Sequence, residues 1–137
     1  MSRKSVDQLL DEARRRLDRV EPRRAHEDLG TGRAVLIDIR SDSQIAADGE
    51  VPGALRIARN VLEWRLDPEC AYRHPEAPEP SEHVILMCNE GYQSSLAAAT
   101  LQELGFERAT DLVGGFQAWR SEGLPVQPPL AETPRLP

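Results

Sequence analysis

The chain has 137 residues, 39% of them hydrophobic and 29% charged, which predicts one soluble globular domain able to fold without disulfide or metal. A formal net charge of −6 argues against a nucleic-acid backbone as the partner and against long-range steering of anions. Cys70 and Cys88 form no CxxC pair, and His26, His74 and His83 stand at no zinc-ligand spacing, so neither a disulfide framework nor a metal centre is expected.

In chain order, Val6, Leu9, Leu10, Ala13, Leu17 and Val20 recur at helical spacing behind a plausible Ser5 N-cap. Arg14, Arg15 and Arg16 read as a solvated face, and Val20 as a very short strand. Pro22 suits the first turn of a second helix, ended by Gly30-Thr31-Gly32. Residues 34–39 form an apolar run that predicts a strand buried on both faces, hence a parallel sheet. Asp38 and Arg40 fall at its C-terminal end, where open α/β sheets bind ligands; capping a turn or pairing with each other would serve them equally well.

Residues 41–50 are polar with a short helix, 51–53 a turn, 54–57 a short strand, and 61–66 a brief helix in which Trp64 reads as core. A proline-rich loop, 68–82, leads into the strongest strand, His83 to Met87. Cys88 ends that run, a polar loop with one glycine follows, and a helix begins at Ser94 or Ser95 and closes at Gly105. A weak strand near 109–112, the Gly114-Gly115 turn and a last helix over 116–121 complete the pattern. Residues 127–137 hold four prolines and predict a poorly ordered tail. Strands alternating with helices specify an α/β domain with a mainly parallel sheet.

A cysteine after an apolar run is commonly buried filler. Three features point Cys88 toward chemistry. It ends a central strand, Gly91 permits a positive-φ loop, and the next helix aims its N-terminus back at the loop. A thiolate there gains from the helix dipole and from several N–H donors.

Four stretches in order carry a family resemblance: Leu36-Ile37-Asp38-Ile39-Arg40, Gly49-Glu50-Val51-Pro52-Gly53-Ala54, Cys88-Asn89-Glu90-Gly91-Tyr92-Gln93-Ser94, and Val113-Gly114-Gly115-Phe116-Gln117-Ala118-Trp119. The chain resembles a single-domain rhodanese-like protein (thiosulfate sulfurtransferase) over about residues 20–124. An N-terminal helical extension, 1–19, and a proline-rich tail, 125–137, lie outside the match. The resemblance implies a three-layer fold with a five-stranded, mainly parallel sheet and helices on both faces. It implies Cys88 as the nucleophile, a cradle of backbone N–H groups from Asn89, Glu90, Gly91, Tyr92, Gln93 and Ser94, and no cofactor. Thiosulfate or another persulfide donor would load Cys88, and cyanide, a small thiol or a protein thiol would unload it.

Two departures from the family pattern stand out. Many such loops carry an arginine near Tyr92 or Gln93, whereas here both positions are neutral and Glu90 adds a negative charge that repels a sulfonate. Glu50 stands where the family has histidine, a change expected to touch only turn packing. Arg59 or Arg65 is the expected replacement cation, with Arg56 a third candidate; Asp38 and Arg40 join them as candidate pocket residues. Tyr92 and Trp64 could form an apolar rim.

Three other functions compete with sulfur transfer. A non-enzymatic persulfide carrier or protein-interaction module would need only the loop and its cysteine. A cysteine phosphatase or arsenate reductase would want a loop one residue longer and an arginine in it. A redox pair of Cys70 and Cys88 would need Cα atoms within about 7 Å. The N-terminus has no signal-peptide pattern and no stretch is long enough to span a bilayer, so the expected location is cytoplasmic, with reduced thiols. Oligomeric state is not legible in the sequence.

Overall fold

A computed structural model describes residues 2–130. Its elements are α1 (Val6–Arg15), α2 (Pro22–Gly30), β1 (Val35–Asp38), α3 (Asp42–Asp48), β2 (Leu55–Arg56), a 3-10 turn (Arg59–Val61) running into α4 (Leu62–Leu66), β3 (Val84–Met87), α5 (Gln93–Glu103), β4 (Thr110–Asp111) and α6 (Gly115–Ser121). Ser5 and Ser41 cap α1 and α3 in full capping boxes, with Gln8 and Gln44 reaching back to the cap N–H.

The sheet is wholly parallel in the order β2-β1-β3-β4. The sheet has four strands where five were expected. Val20 makes only an isolated parallel bridge to Leu112, through Val20 N–H to Asp111 O (3.0 Å) and Val113 N–H to Val20 O (2.9 Å). Pro22 opens α2 two residues later, so the chain leaves the sheet edge before a strand can develop.

Period-two alternation divides the core. Ile37, Ile39, Val84, Leu86 and Cys88 face one way, onto Leu62 and Leu66 of α4 and Ala97, Ala98 and Leu101 of α5. Leu36, Ile85 and Met87 face the other way, onto Ala25 of α2 and Phe116 and Trp119 of α6. Helices therefore cover both faces. Helix α1 lies outside α5, packed against it through the buried Ala13 and followed by Leu17 in the first cluster. No helix among the described residues is long and apolar enough to cross a membrane.

The connection from β1 goes to one neighbour and the chain then returns past β1 to β3, so the strand order reverses between β1 and β3. Asp38 pairs in register with Met87, and Ile39 N–H bonds Met87 O at 2.9 Å. Cys88 thus leaves the sheet at the carboxyl edge beside this switch point, the place where open α/β sheets leave a crevice.

Trp64 does not join the core: it is 54% exposed, because α4 is a short helix whose inward positions are already taken by Leu62 and Leu66. Residues 125–130 lie along the body. Glu50 and Gln127 exchange backbone hydrogen bonds (2.9 and 2.8 Å), Leu130 N–H bonds the Glu50 carboxylate (2.7 Å), and Trp119 Nε1 donates to Pro125 O (2.8 Å). Glu50 therefore does more than pack a turn; it fastens the segment that follows α6. The rest of the expected tail, 131–137, lies outside the described residues.

Candidate active site

Cys88 is 2% exposed and follows β3 directly. Gly91 N–H donates to its Sγ at 3.1 Å, and the thiol donates to Ser94 Oγ at 3.2 Å. Gly91 has φ +87°, and a Cβ there would fall 2.8 Å from Gly114 N, so both the turn and the close approach need glycine. Helix α5 starts at Gln93, one residue earlier than the expected Ser94.

The loop is tied from behind by α6. Phe116 N–H bonds Cys88 O (2.8 Å) and Gln117 N–H bonds Asn89 O (3.1 Å), which satisfies first-turn donors that a helix leaves without internal partners. Gln117 Nε2 also donates to Asn89 Oδ1 (2.9 Å) and Asp48 Oδ2 (3.2 Å). A Cβ on Gly115 would lie 2.5 Å from Cys88 O, so the Gly114-Gly115 pair is what lets the start of α6 sit this close. No peptide bond among the described residues is cis. Across a trans peptide the C=O and the next N–H point in opposite directions, so anchoring the carbonyls of Cys88 and Asn89 on α6 turns the N–H groups of Asn89 and Glu90 away from it.

Asp111, fully buried at the end of β4, is the polar hub beneath the loop. Its Oδ2 accepts from Ser94 Oγ and Ser95 Oγ, both at 2.7 Å. Arg19 spans the carboxylate, Nε to Oδ1 at 2.8 Å and Nη2 to Oδ2 at 3.2 Å. A buried carboxylate needs such compensation. Because Ser94 gives its hydrogen to Asp111, its oxygen presents a lone pair to Cys88. Sequence reasoning missed Asp111; the available signal was an acidic residue inside an apolar strand, paired in register with Leu86 two residues before Cys88.

The arginines bonded to the loop are not the expected ones. Arg14 Nη2 donates to Gly91 O (2.8 Å) and its Nε to Ser95 Oγ (3.1 Å); Arg19 Nη2 also reaches Gly91 O (3.1 Å). Arg14 is half-buried, with its guanidinium 5.7 Å from the centroid of the 61%-exposed Tyr92 ring, and does not belong to a solvated face. Arg59 is committed to Glu63 (2.9 and 3.2 Å), Arg65 is buried with Nη1 on Tyr72 O (2.9 Å), and Arg56 pairs with Asp42 (2.7 Å). Arg59 is held by Glu63 four residues on and Arg65 by a carbonyl seven residues on, while Arg56 of β2 reaches back to Asp42 of α3.

Asp38 and Arg40 form a buried pair, Nε to Oδ1 at 3.0 Å and Nη2 to Oδ2 at 2.7 Å. Arg40 also donates to Gly49 O (2.8 Å) and stacks 3.8 Å over the Phe116 ring. This is the pairing alternative, and it links β1, the Gly49–Ala54 turn and α6. Glu90, Tyr92 and Gln93 are exposed at the mouth, while Ser94 and Ser95 are fully buried. Cys70 and Cys88 are both free, so no disulfide joins them.

A family model described as the rhodanese-like domain matches residues 21–122. The chain belongs to the rhodanese-like family. It is 33% identical over 95 residues to a sulfurtransferase of Allochromatium vinosum, covering 69% of this chain and 79% of that one. It is 30% identical over 108 residues to the thiosulfate sulfurtransferase GlpE of Actinobacillus succinogenes, covering 79% and 88%. Among solved structures, a Rhodopseudomonas palustris protein of unknown function, described as a possible tyrosine phosphatase, superimposes with a TM-score of 0.84 at 31% identity over 93% of this chain and 97% of that one. The rhodanese-like match starts after Arg14 and Arg19, so two arginines that hold the loop lie outside it.

Proposed function

We propose that the protein is a sulfurtransferase that works through a persulfide on Cys88. Rhodanese-like relatives support sulfur transfer in general; the donor, the intermediate and the residue roles are inferred from the site. The observation that carries the reading is the sulfur-centred loop: Sγ takes the Gly91 N–H while the Cys88 and Asn89 carbonyls are held on α6. That arrangement presents the Gly91 N–H to the sulfur, a donor suited to the anionic form that acts as nucleophile.

In the first half-reaction the Cys88 thiolate attacks the outer sulfur of thiosulfate. A Cys88 S–S bond forms, the donor S–S bond breaks, and sulfite leaves with the electron pair. The terminal sulfur of the persulfide then sits where the N–H groups of residues 89–94 can receive it. In the second half-reaction cyanide or a thiolate attacks that terminal sulfur, and the Cys88 thiolate departs. A persulfide-bearing small thiol serves as donor by the same bookkeeping. The neutral Tyr92 and Gln93 and the exposed Glu90 offer no cation to a sulfonate and favour a donor with less negative charge. We place the reaction in the cytoplasm, with a small-molecule donor and a thiol acceptor.

A phosphatase reading is suggested by the description of the Rhodopseudomonas relative. Residues 88–94 contain no arginine to clamp a phosphoryl dianion, which weighs against it. The test is thiocyanate formation from thiosulfate or a cysteine persulfide, with wild type and Cys88→Ser. Turnover by wild type alone supports the enzyme. Inertness with every donor, while Cys88 still gains one sulfur by mass, would leave a persulfide carrier.

A further inference from the structure

We infer that Arg14, on the helix preceding the family-matched region, is a positioning residue for the Cys88 loop, with Arg19 as its companion. The inference rests on Cys88 being the nucleophile of the proposed reaction. Arg14 bridges two loop-side acceptors, Gly91 O at 2.8 Å and Ser95 Oγ at 3.1 Å, and Arg19 adds a second guanidinium to Gly91 O at 3.1 Å. Ser95 Oγ is in turn bonded to Asp111, which Arg19 grips with two bonds. Arg14, Gly91 O, Arg19, Asp111 and Ser95 Oγ form one closed network reaching from α1 to the floor of the loop.

What this network does to the loop follows from peptide geometry. The carbonyl of Gly91 and the N–H of Tyr92 share one trans peptide and point oppositely. Drawing the carbonyl onto α1 turns the Tyr92 N–H away from α1, and it fixes ψ of the one loop residue whose positive φ leaves it conformationally free. The N–H of that same residue is the donor to Cys88 Sγ. Helix α6 holds the carbonyls of residues 88 and 89, and Arg14 and Arg19 hold that of residue 91, so the loop is fastened from both sides.

The network also supplies charge. Residues 89–94 contain a carboxylate, Glu90, and no cation. Arg19 is neutralised by Asp111, so the charge the network adds is that of Arg14, whose guanidinium on the Gly91 carbonyl polarises the adjoining amide and strengthens its N–H as a donor toward an anionic sulfur. A chain of this family lacking a loop arginine thus recruits arginines from α1 and the connector after it, before the family-matched segment begins.

The test uses the full chain with Cys70→Ser, so that Cys88 is the one thiol, and follows iodoacetamide alkylation against pH. Arg14→Met keeps an unbranched apolar stem and removes the charge and the donors. Its pH–rate profile is expected to move to higher pH, with alkylation near neutrality roughly three- to tenfold slower. Arg14→Lys, which keeps the charge on a single donor nitrogen, is expected to fall between parent and Arg14→Met. A general loosening of the fold would raise alkylation rather than displace its profile. A profile for Arg14→Met that superimposes on the parent's overturns the inference. Should Arg14→Met not fold, Arg14→Lys carries the test alone, and coincidence of its profile with the parent's overturns the inference. Alkylation needs no sulfur donor, so a displaced profile without thiocyanate formation would sink the transfer reading and leave this one standing.

Discussion

Two glycines, Gly91 in the loop and Gly115 at the start of α6, set how much the site tolerates. Gly91→Ala meets a positive φ, which costs a non-glycine residue about 1–2 kcal/mol, and adds a contact 2.8 Å from Gly114 N. Gly115→Ala places a methyl 2.5 Å from Cys88 O and must push the start of α6 off the loop. Both variants are expected to unfold at lower denaturant and to lose sulfur transfer; Gly32→Ala, also at positive φ but with open space around it, is expected to lose stability and keep activity. Activity retained in Gly115→Ala would contradict the role given to the α6 anchor. The cysteine, the glycines and the helix start were legible in the sequence because they are local: an apolar run, a cysteine and a turn lie within ten residues. Asp111 and Arg14 were not, because their partners are 16 or more residues away: an acidic residue beside Leu112 marks Asp111 as unusual without naming its partners, and nothing near Arg14 marks its contact.

At the scale of elements, Asp38 and Arg40 tie β1 to the turn before β2 and to α6. Replacing Asp38 with Asn leaves a fully buried guanidinium without its counter-charge, at a cost of about 3–5 kcal/mol. Urea denaturation should show that loss; an unchanged midpoint would mean that Gly49 O and the Phe116 ring suffice for Arg40. The order of strands and helices was legible because buried parallel strands read as continuous apolar runs. Val20 misled, since one apolar residue before Glu21-Pro22 can make a bridge and no more. Trp64 misled for a different reason: apolarity alone does not say which side of a five-residue helix faces inward.

For the whole molecule, two histidines bear on acid stability. Burial, with Arg65 nearby, holds His74 below the ordinary histidine range, and its Nδ1 accepts the Glu76 N–H at 3.0 Å. Burial, with Arg108 nearby, lowers His83 too. A lowered folded-state value means that the unfolded chain binds more protons over this window. Their contribution is therefore complete above about pH 6.5 and is lost as pH falls through that value and below. The denaturation midpoint should drop on acidification, and His74→Gln with His83→Gln should flatten that drop; an equally steep drop in the double variant would assign it to carboxylates. We take the functional unit to begin at α1 rather than at residue 20, since Arg14 and Arg19 reach the loop from there, and to include residues 125–130 that Glu50 fastens. The central claim, a sulfur carried on Cys88, is tested most directly by intact mass of the full chain after incubation with thiosulfate or cysteine persulfide and removal of the donor. The expected result is a gain of one sulfur atom, mapped to Cys88, abolished by Cys88→Ser and discharged by cyanide as thiocyanate. No mass gain with either donor, or a gain that persists in Cys88→Ser, would contradict it.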